Sequence, residues 1–169
     1  DFEDLAVGET RDTTVTYTID DGNGGTDTVT VTGTNDTPIP VDPLDPTGPA
    51  DPADYIPAQT GVDGTAVTPV DLTPYFGDPD TSDDLTLSVD PADLPDGLTF
   101  DPLTGTISGA PGPDASLGGD PLNPGTYVIP VTATDPSGAT FTTNLVYTIT
   151  NQPPVAQDDS LSTDEDTAN

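Results

Sequence analysis

The chain has 169 residues, of which 31 are Asp or Glu and one, Arg11, is basic, so it carries a formal net charge of −30. Such a surface repels phosphate, because nucleic-acid binding relies on Lys and Arg, and it repels anionic lipid for the same reason; neither nucleic acid nor membrane insertion is expected. Cys, His and Lys are absent, which excludes disulfides, thiolate and imidazole metal sites, the usual general base and Lys-based isopeptide cross-links.

Residues 1–38 open with Asp1-Phe2-Glu3-Asp4-Leu5, which has neither the basic nor the apolar region of a signal peptide. No stretch approaches the roughly 18 apolar residues of a membrane span. The chain reads as a piece of a longer protein. Two runs alternate apolar residues with threonine, Thr14–Ile19 and Thr28–Thr32, and the connection Asp20-Asp21-Gly22-Asn23-Gly24-Gly25 tolerates the positive φ of a tight turn. This is a hairpin signal. The stretch Gly22–Val29 comes close to a calcium-binding nonapeptide repeat, but such a unit binds only in stacked copies, so a hairpin loop is the expected reading.

From residue 39 to residue 55 the composition shifts to Asp, Pro and Ala. Proline fixes φ and removes donors, so the segment is expected to be a stiff linker without ladder bonds of its own. Residues 56–151 carry six candidate strands, Ala66–Val70, Leu85–Val89, Leu98–Phe100, Thr106–Ser108, Tyr127–Thr134 and Ala139–Ile149, with Gly/Pro/Asp turns between them and no helical period. Strands of this length and spacing predict an all-β fold, an antiparallel sandwich. Its core is expected to come from Leu72, Phe76, Leu85, Leu87, Leu98, Phe100, Ile107, Tyr127, Ile129, Val131, Phe141, Leu145, Tyr147 and Ile149. Residues 152–169 read as the opening strand of a following repeat, with Asp158, Asp159, Asp164, Glu165 and Asp166 as further acids.

The segment Leu94-Pro95-Asp96-Gly97-Leu98-Thr99-Phe100-Asp101-Pro102-Leu103-Thr104-Gly105-Thr106-Ile107-Ser108-Gly109, followed by Gly125-Thr126-Tyr127 and Val131-Thr132-Ala133-Thr134-Asp135, resembles dystroglycan-type cadherin-like (putative Ig) domains. Tyr17–Gly22 with Gly33–Pro38 looks like the C-terminal part of a VCBS-type repeat, and Pro154–Asp159 with Thr163–Thr167 looks like the start of another. The resemblance implies a cadherin-like or Ig-like β-sandwich with flanking partial β-repeats, one stretch of a tandem array in a bacterial RTX adhesin. Such proteins are exported by type I secretion to the cell surface and serve in adhesion and biofilm formation. Neighbouring repeats of the same chain are the implied partners, with a glycan or surface ligand bound elsewhere in the parent protein.

The resemblance also implies calcium, held by a linker, by an Asp-x-Asp after the second strand and by an Asp closing a late strand. The matching positions are Asn35 and Asp36, Asp78 and Asp80, and Asp135, with Asp83 and Asp84 near enough to substitute. Calcium takes six to eight oxygens, and a sandwich brings loops from distant parts of the chain to one end. In a chain with 31 acids the same residues are also what solvated turns would contain, since Asp bonds its own backbone there. The implied function is a calcium-stabilised extender of an adhesin. Carbohydrate or peptide binding by the sandwich is the alternative, with Tyr55 and Tyr75 as the aromatic candidates. Catalysis is not expected, because acid pairs are unavoidable in this composition and no pocket-forming insertion is visible.

Overall fold

A computed structural model of the protein describes residues 10–13, 29–32, 34–43, 56–81 and 83–154. Near the start, β1 (Thr10–Thr13) pairs antiparallel with β2 (Val29–Thr32), Thr10 opposite Thr32 and Thr13 opposite Val29. The paired strand therefore lies just ahead of Thr14–Ile19, the run that alternation singles out; that run, the Asp20–Gly25 connection and residues 155–169 fall outside the described residues.

The main body is a two-layer sandwich. One layer has the order β4 (Gln59–Val62), β13 (Thr140–Thr150), β12 (Thr126–Thr134), β7 (Thr86–Val89). The facing layer has β5 (Val70–Asp71), β9 (Thr106–Gly109) and β8 (Leu98–Asp101), and β3 (Ile39–Pro40) pairs with β6 (Phe76–Gly77) in a separate two-stranded sheet. A short hairpin of β10 (Gly119–Asp120) and β11 (Asn123–Pro124) precedes β12. The strand orders of these two layers are those of immunoglobulin-type sandwiches.

The expected strand Ala66–Val70 is a strand only at Val70, where β5 begins after Pro69, which has no N–H to give a ladder; two further features depart from the sequence reading. The segment 39–55 is not ladder-free at its start, because Ile39 and Pro40 pair with Gly77 and Phe76 and Val41 donates its N–H to the Tyr75 carbonyl at 3.0 Å. Edge strands need donors only at alternate positions, so Pro40 is tolerated where Val41 supplies one. The other is β4, which runs parallel to β13 with Gln59 opposite Tyr147, one parallel pairing in an otherwise antiparallel sandwich. Gln-Thr-Gly-Val carries almost no strand signal, and its glycine is there for clearance: a Cβ on Gly61 would lie 2.9 Å from the Ile149 side chain. At the start of β12, Gly125 has φ +82 and a Cβ there would run into the Ile149 carbonyl. Both positions require the missing side chain.

Alternation along β12 and β13 turns Ile129, Val131, Ala133, Leu145, Tyr147 and Ile149 inward, where they meet Leu72, Leu98 and Ile107 in one cluster. Of the expected core, Leu85, Phe100, Tyr127 and Phe141 pack on this cluster while remaining partly buried; Ile56, Leu94, Ala115 and Ala133 join it unforeseen. Phe141 sits edge-on to Phe76 with ring centroids 6.3 Å apart. Ile129 is fully buried and Leu103 is 95% exposed. Ile129→Ala is therefore expected to lower stability by about 2–5 kcal/mol in a urea melt, whereas Leu103→Ala stays within about 0.5 kcal/mol of the parent.

Candidate metal centre

The turn that follows β6 is Gly77-Asp78-Pro79-Asp80. The Asp78 Oδ1 accepts the Asp80 N–H at 2.9 Å, and the Asp80 carbonyl accepts the Asp83 N–H at the same distance, so the Asp-x-Asp folds into a compact loop. Asp135 closes β12. Its Oδ1 accepts the Ala139 N–H at 2.9 Å, and its backbone exchanges bonds with Ala139 and Gly138 at 3.1 and 3.2 Å, which pins the turn into β13. Asn35 and Asp36 arrive from the segment just before β3. The Asn35 Nδ2 donates to the Asp135 Oδ2 and to the Asp36 carbonyl, each at 2.7 Å, and the Asp36 N–H donates to the Asp80 Oδ2 at 2.7 Å. Residues separated by up to 100 positions in sequence thus meet at one end of the sandwich. All five positions that the sequence reading singled out belong to this group, and Asp83, considered there only as a substitute, joins it.

The electrostatics of this end are unusual. Asp80 is 0% exposed and Asp135 4%, and carboxylate oxygens of Asp78, Asp80 and Asp83 lie within 4.8 Å of one another. Three buried oxygens here, Asn35 Oδ1, Asp78 Oδ2 and Asp80 Oδ1, accept no hydrogen bond. Each such acceptor bears a desolvation penalty of about 1–3 kcal/mol, more for a charged group. Burial raises the Asp78 carboxyl above its ordinary value, partly offset by the Asp80 N–H and reinforced by the negative charges of Asp80, Asp135 and Asp36. Asp135 moves the other way, held down by the Asn35 amide and then by the backbone N–H groups of Ala139, Gly138 and Ser137.

The turn geometry alone does not define the site. Asp90, Asp101 and Asp120 each precede a proline and each accept the N–H two residues on at 2.9 Å, the ordinary turn chemistry of Asp. None of these three is buried, and Asp84 is also exposed. At the opposite end of the sandwich, Asp63 is 3% exposed, but both of its oxygens are satisfied, Oδ1 by the Ser116 N–H at 2.9 Å and Oδ2 by the Ser116 hydroxyl at 2.5 Å. Nothing in Asp63-Gly64 marks that burial in the sequence, since the pair reads as an ordinary turn. What separates the Asp78–Asp80–Asp83 end is burial together with oxygens that have no donor.

The family described as Putative Ig domain matches residues 51–151, and the chain belongs to it. Three solved structures are similar at low identity. A nucleoside hydrolase-related protein from Saccharophagus degradans is 19% identical over 69% of this chain and 26% of its own, with a TM-score of 0.44. The human desmocollin-1 ectodomain is 16% identical over 79% of this chain and 23% of its own, at 0.42. A PKD domain solved in solution is 14% identical over 66% of this chain and 98% of its own, also at 0.42. The chain thus spans about a quarter of the length of the first two. No curated protein matches the chain.

The raised Asp78 carboxyl carries a sign for stability. Its folded form holds the proton more tightly than the unfolded chain does, so without cation this group opposes folding at neutral pH and ceases to do so as pH falls toward 3.8, its ordinary value. Asp135, being lowered, contributes stability above 3.8 that is lost only under more acid conditions. In chelator at neutral pH, Asp78→Asn is therefore expected to raise the melting temperature, because an amide still accepts the Asp80 N–H. It should also flatten the gain in stability that the parent shows on acidification toward pH 3.8. A melting temperature that falls in chelator would contradict this assignment.

Proposed function

We propose that this end of the sandwich holds calcium through Asp78, Asp80 and Asp83 together with Asn35, Asp36 and Asp135, and that the module is a calcium-stiffened spacer of an extracellular adhesion protein. The observation that carries the reading is the set of buried oxygens without donors on Asn35, Asp78 and Asp80. An all-oxygen group containing several carboxylates suits a hard cation. Calcium accepts six to eight oxygens in flexible geometry, whereas magnesium keeps its waters and demands a near-ideal octahedron, and zinc favours the nitrogen and sulfur ligands this composition lacks. A bound ion supplies the positive charge that lets these carboxylates stay ionised side by side.

The path of the chain supports the spacer role. Asn35 and Asp36 enter at the Asp135 end, whereas β13 leaves at Thr150, next to Asp63. The 11 residues of β13 place these ends roughly 35 Å apart at about 3.3 Å per residue. Thr34-Asn35-Asp36-Thr37-Pro38 at the entry and Thr150-Asn151-Gln152-Pro153-Pro154 at the exit share one frame, as expected if successive repeats are joined in the same way. An array of VCBS-type and cadherin-like repeats in a type I secreted RTX adhesin, with neighbouring repeats as the partners, fits this geometry. The reading is non-enzymatic. Carbohydrate binding draws less support: Tyr75 packs against the core, and the Tyr127 hydroxyl, beside an open groove of about 410 Å³, is engaged by the Ala115 carbonyl at 2.7 Å.

Extracellular calcium modules bind at about 10⁻⁴–10⁻³ M, so calcium tenfold above the dissociation constant adds about 1.4 kcal/mol per site. For a domain of this size that is a rise of roughly 5–10 °C in melting temperature. Calcium but not magnesium should produce it, and Asp80→Asn should abolish it along with calcium binding measured by calorimetry. Identical melting curves in calcium and in chelator would refute the proposal.

A further inference from the structure

The candidate cation site joins two parts of the chain that are held to the fold unequally. Asp78, Asp80, Asp83 and Asp135 stand on the loops after β6 and β12, inside the stretch 51–151 that matches the family. Asn35 and Asp36 arrive on residues 34–41, outside that stretch. This strap is attached at few points. Its β3 pairs with β6 over two residues, in a sheet separate from both layers of the sandwich, and Val41 adds one bond to the Tyr75 carbonyl at 3.0 Å. Pro38 is fully buried, but Ile39 is 44% exposed, and neither Ile39 nor Val41 belongs to the core cluster. The remaining anchors reach the acids themselves: the Asn35 amide bonds Asp135 and the Asp36 N–H bonds Asp80.

The Asn35 Nδ2 carries two hydrogens, one given to the Asp135 Oδ2 and one to the Asp36 carbonyl. That leaves its Oδ1, buried without a donor, as the accepting side of the amide. A cation among the acids gains this oxygen only while the strap is down. The strap also brings the Asp36 carboxylate, whose negative charge acts on Asp78. Without a cation, docking therefore sets like charges side by side, and lifting the strap returns the oxygens of Asp80 and Asp135 to water. The geometry points to a strap, residues 34–41, that lifts from the folded sandwich as one unit and that calcium, bound in the closed form, holds down. This rests on the calcium reading above. An ion that gains Asn35 and Asp36 in the closed form alone differs in affinity between the two forms, so it shifts the equilibrium toward closure, and closure in turn raises its affinity. Uniform stiffening is a different behaviour, in which strap and sandwich open only together.

Amide hydrogen exchange of the full chain, followed residue by residue by NMR, tests this. The N–H groups of Asp36 and Val41 report the strap, and those of Leu72 and Ile149, bonded to the Gly105 and Gly125 carbonyls at 2.9 and 2.7 Å, report the sandwich. In chelator the strap amides should exchange at least about a hundredfold faster than the sandwich amides. Calcium at about ten times its dissociation constant should slow them about tenfold. Asp36→Asn keeps the backbone donor and removes the charge, so its strap amides should exchange more slowly than the parent's in chelator and respond less to calcium. The parent's own rates decide even if this variant fails to fold. One exchange rate for strap and sandwich in chelator overturns the inference. So does calcium that binds by calorimetry yet leaves the Asp36 and Val41 amides at their chelator rate, a result that spares the calcium reading. Absence of binding by calorimetry refutes that reading and the closing role of the ion together.

Discussion

The structure depends on how a chain with 31 acids and one base tolerates its own carboxylates. Among the described residues, Asp71, Asp90, Asp101 and Asp120 stand at turns where the N–H two residues on satisfies one oxygen. At the entry end this solution is incomplete. There the loops after β6 and β12 bring Asp78, Asp80 and Asp135 together, the latter two out of water, and the segment carrying Asn35 and Asp36 bonds to Asp135 and Asp80. Two donors from that segment neutralise part of the charge, one to Asp135 and one to Asp80. Oxygens of Asn35, Asp78 and Asp80 are left there without donors.

The rest of the fold makes that crowding tolerable. The core runs as one cluster between the layers, from Ile129, Val131, Leu145 and Tyr147 to Phe76 and Ala133 beside the acidic loops. The two ends differ: Asp63 is buried and fully bonded by Ser116, a structural acid, whereas Asp80 is buried and only half bonded. Acids gathered at the ends and on one layer leave the outward strand positions of the other layer without charge.

What could be read from the residues follows physical range. The long strands β12 and β13 announce themselves because Val, Ile, Tyr, Phe and Thr fill most of their nine and eleven positions, and the residues at alternate positions form the core. Asp78, Asp80 and Asp135 stand out through the resemblance to cadherin-like domains, which implies ligands at those positions, and a sandwich can bring the loops that carry them to one end. Short strands escape. Gln59–Val62 and Ile39–Pro40 form only because a neighbour offers an edge, and no local propensity in Gln-Thr-Gly-Val or Ile-Pro points to either pairing.

The sequence by itself determined that this is an all-β chain without thiol, imidazole or amine chemistry, with acids at its turns and a core built by period-two alternation, because composition and alternation are local properties. Only the tertiary structure decided which acids lose their water. Asp78, Asp90 and Asp101 are alike in the chain, each preceding a proline and accepting the N–H two residues on, but only Asp78 lies beside a buried carboxylate, Asp80, which Asp36 reaches from 44 residues upstream. Burial is set by what packs on a residue from elsewhere in the fold, and so is the contrast between a charged layer and a neutral one.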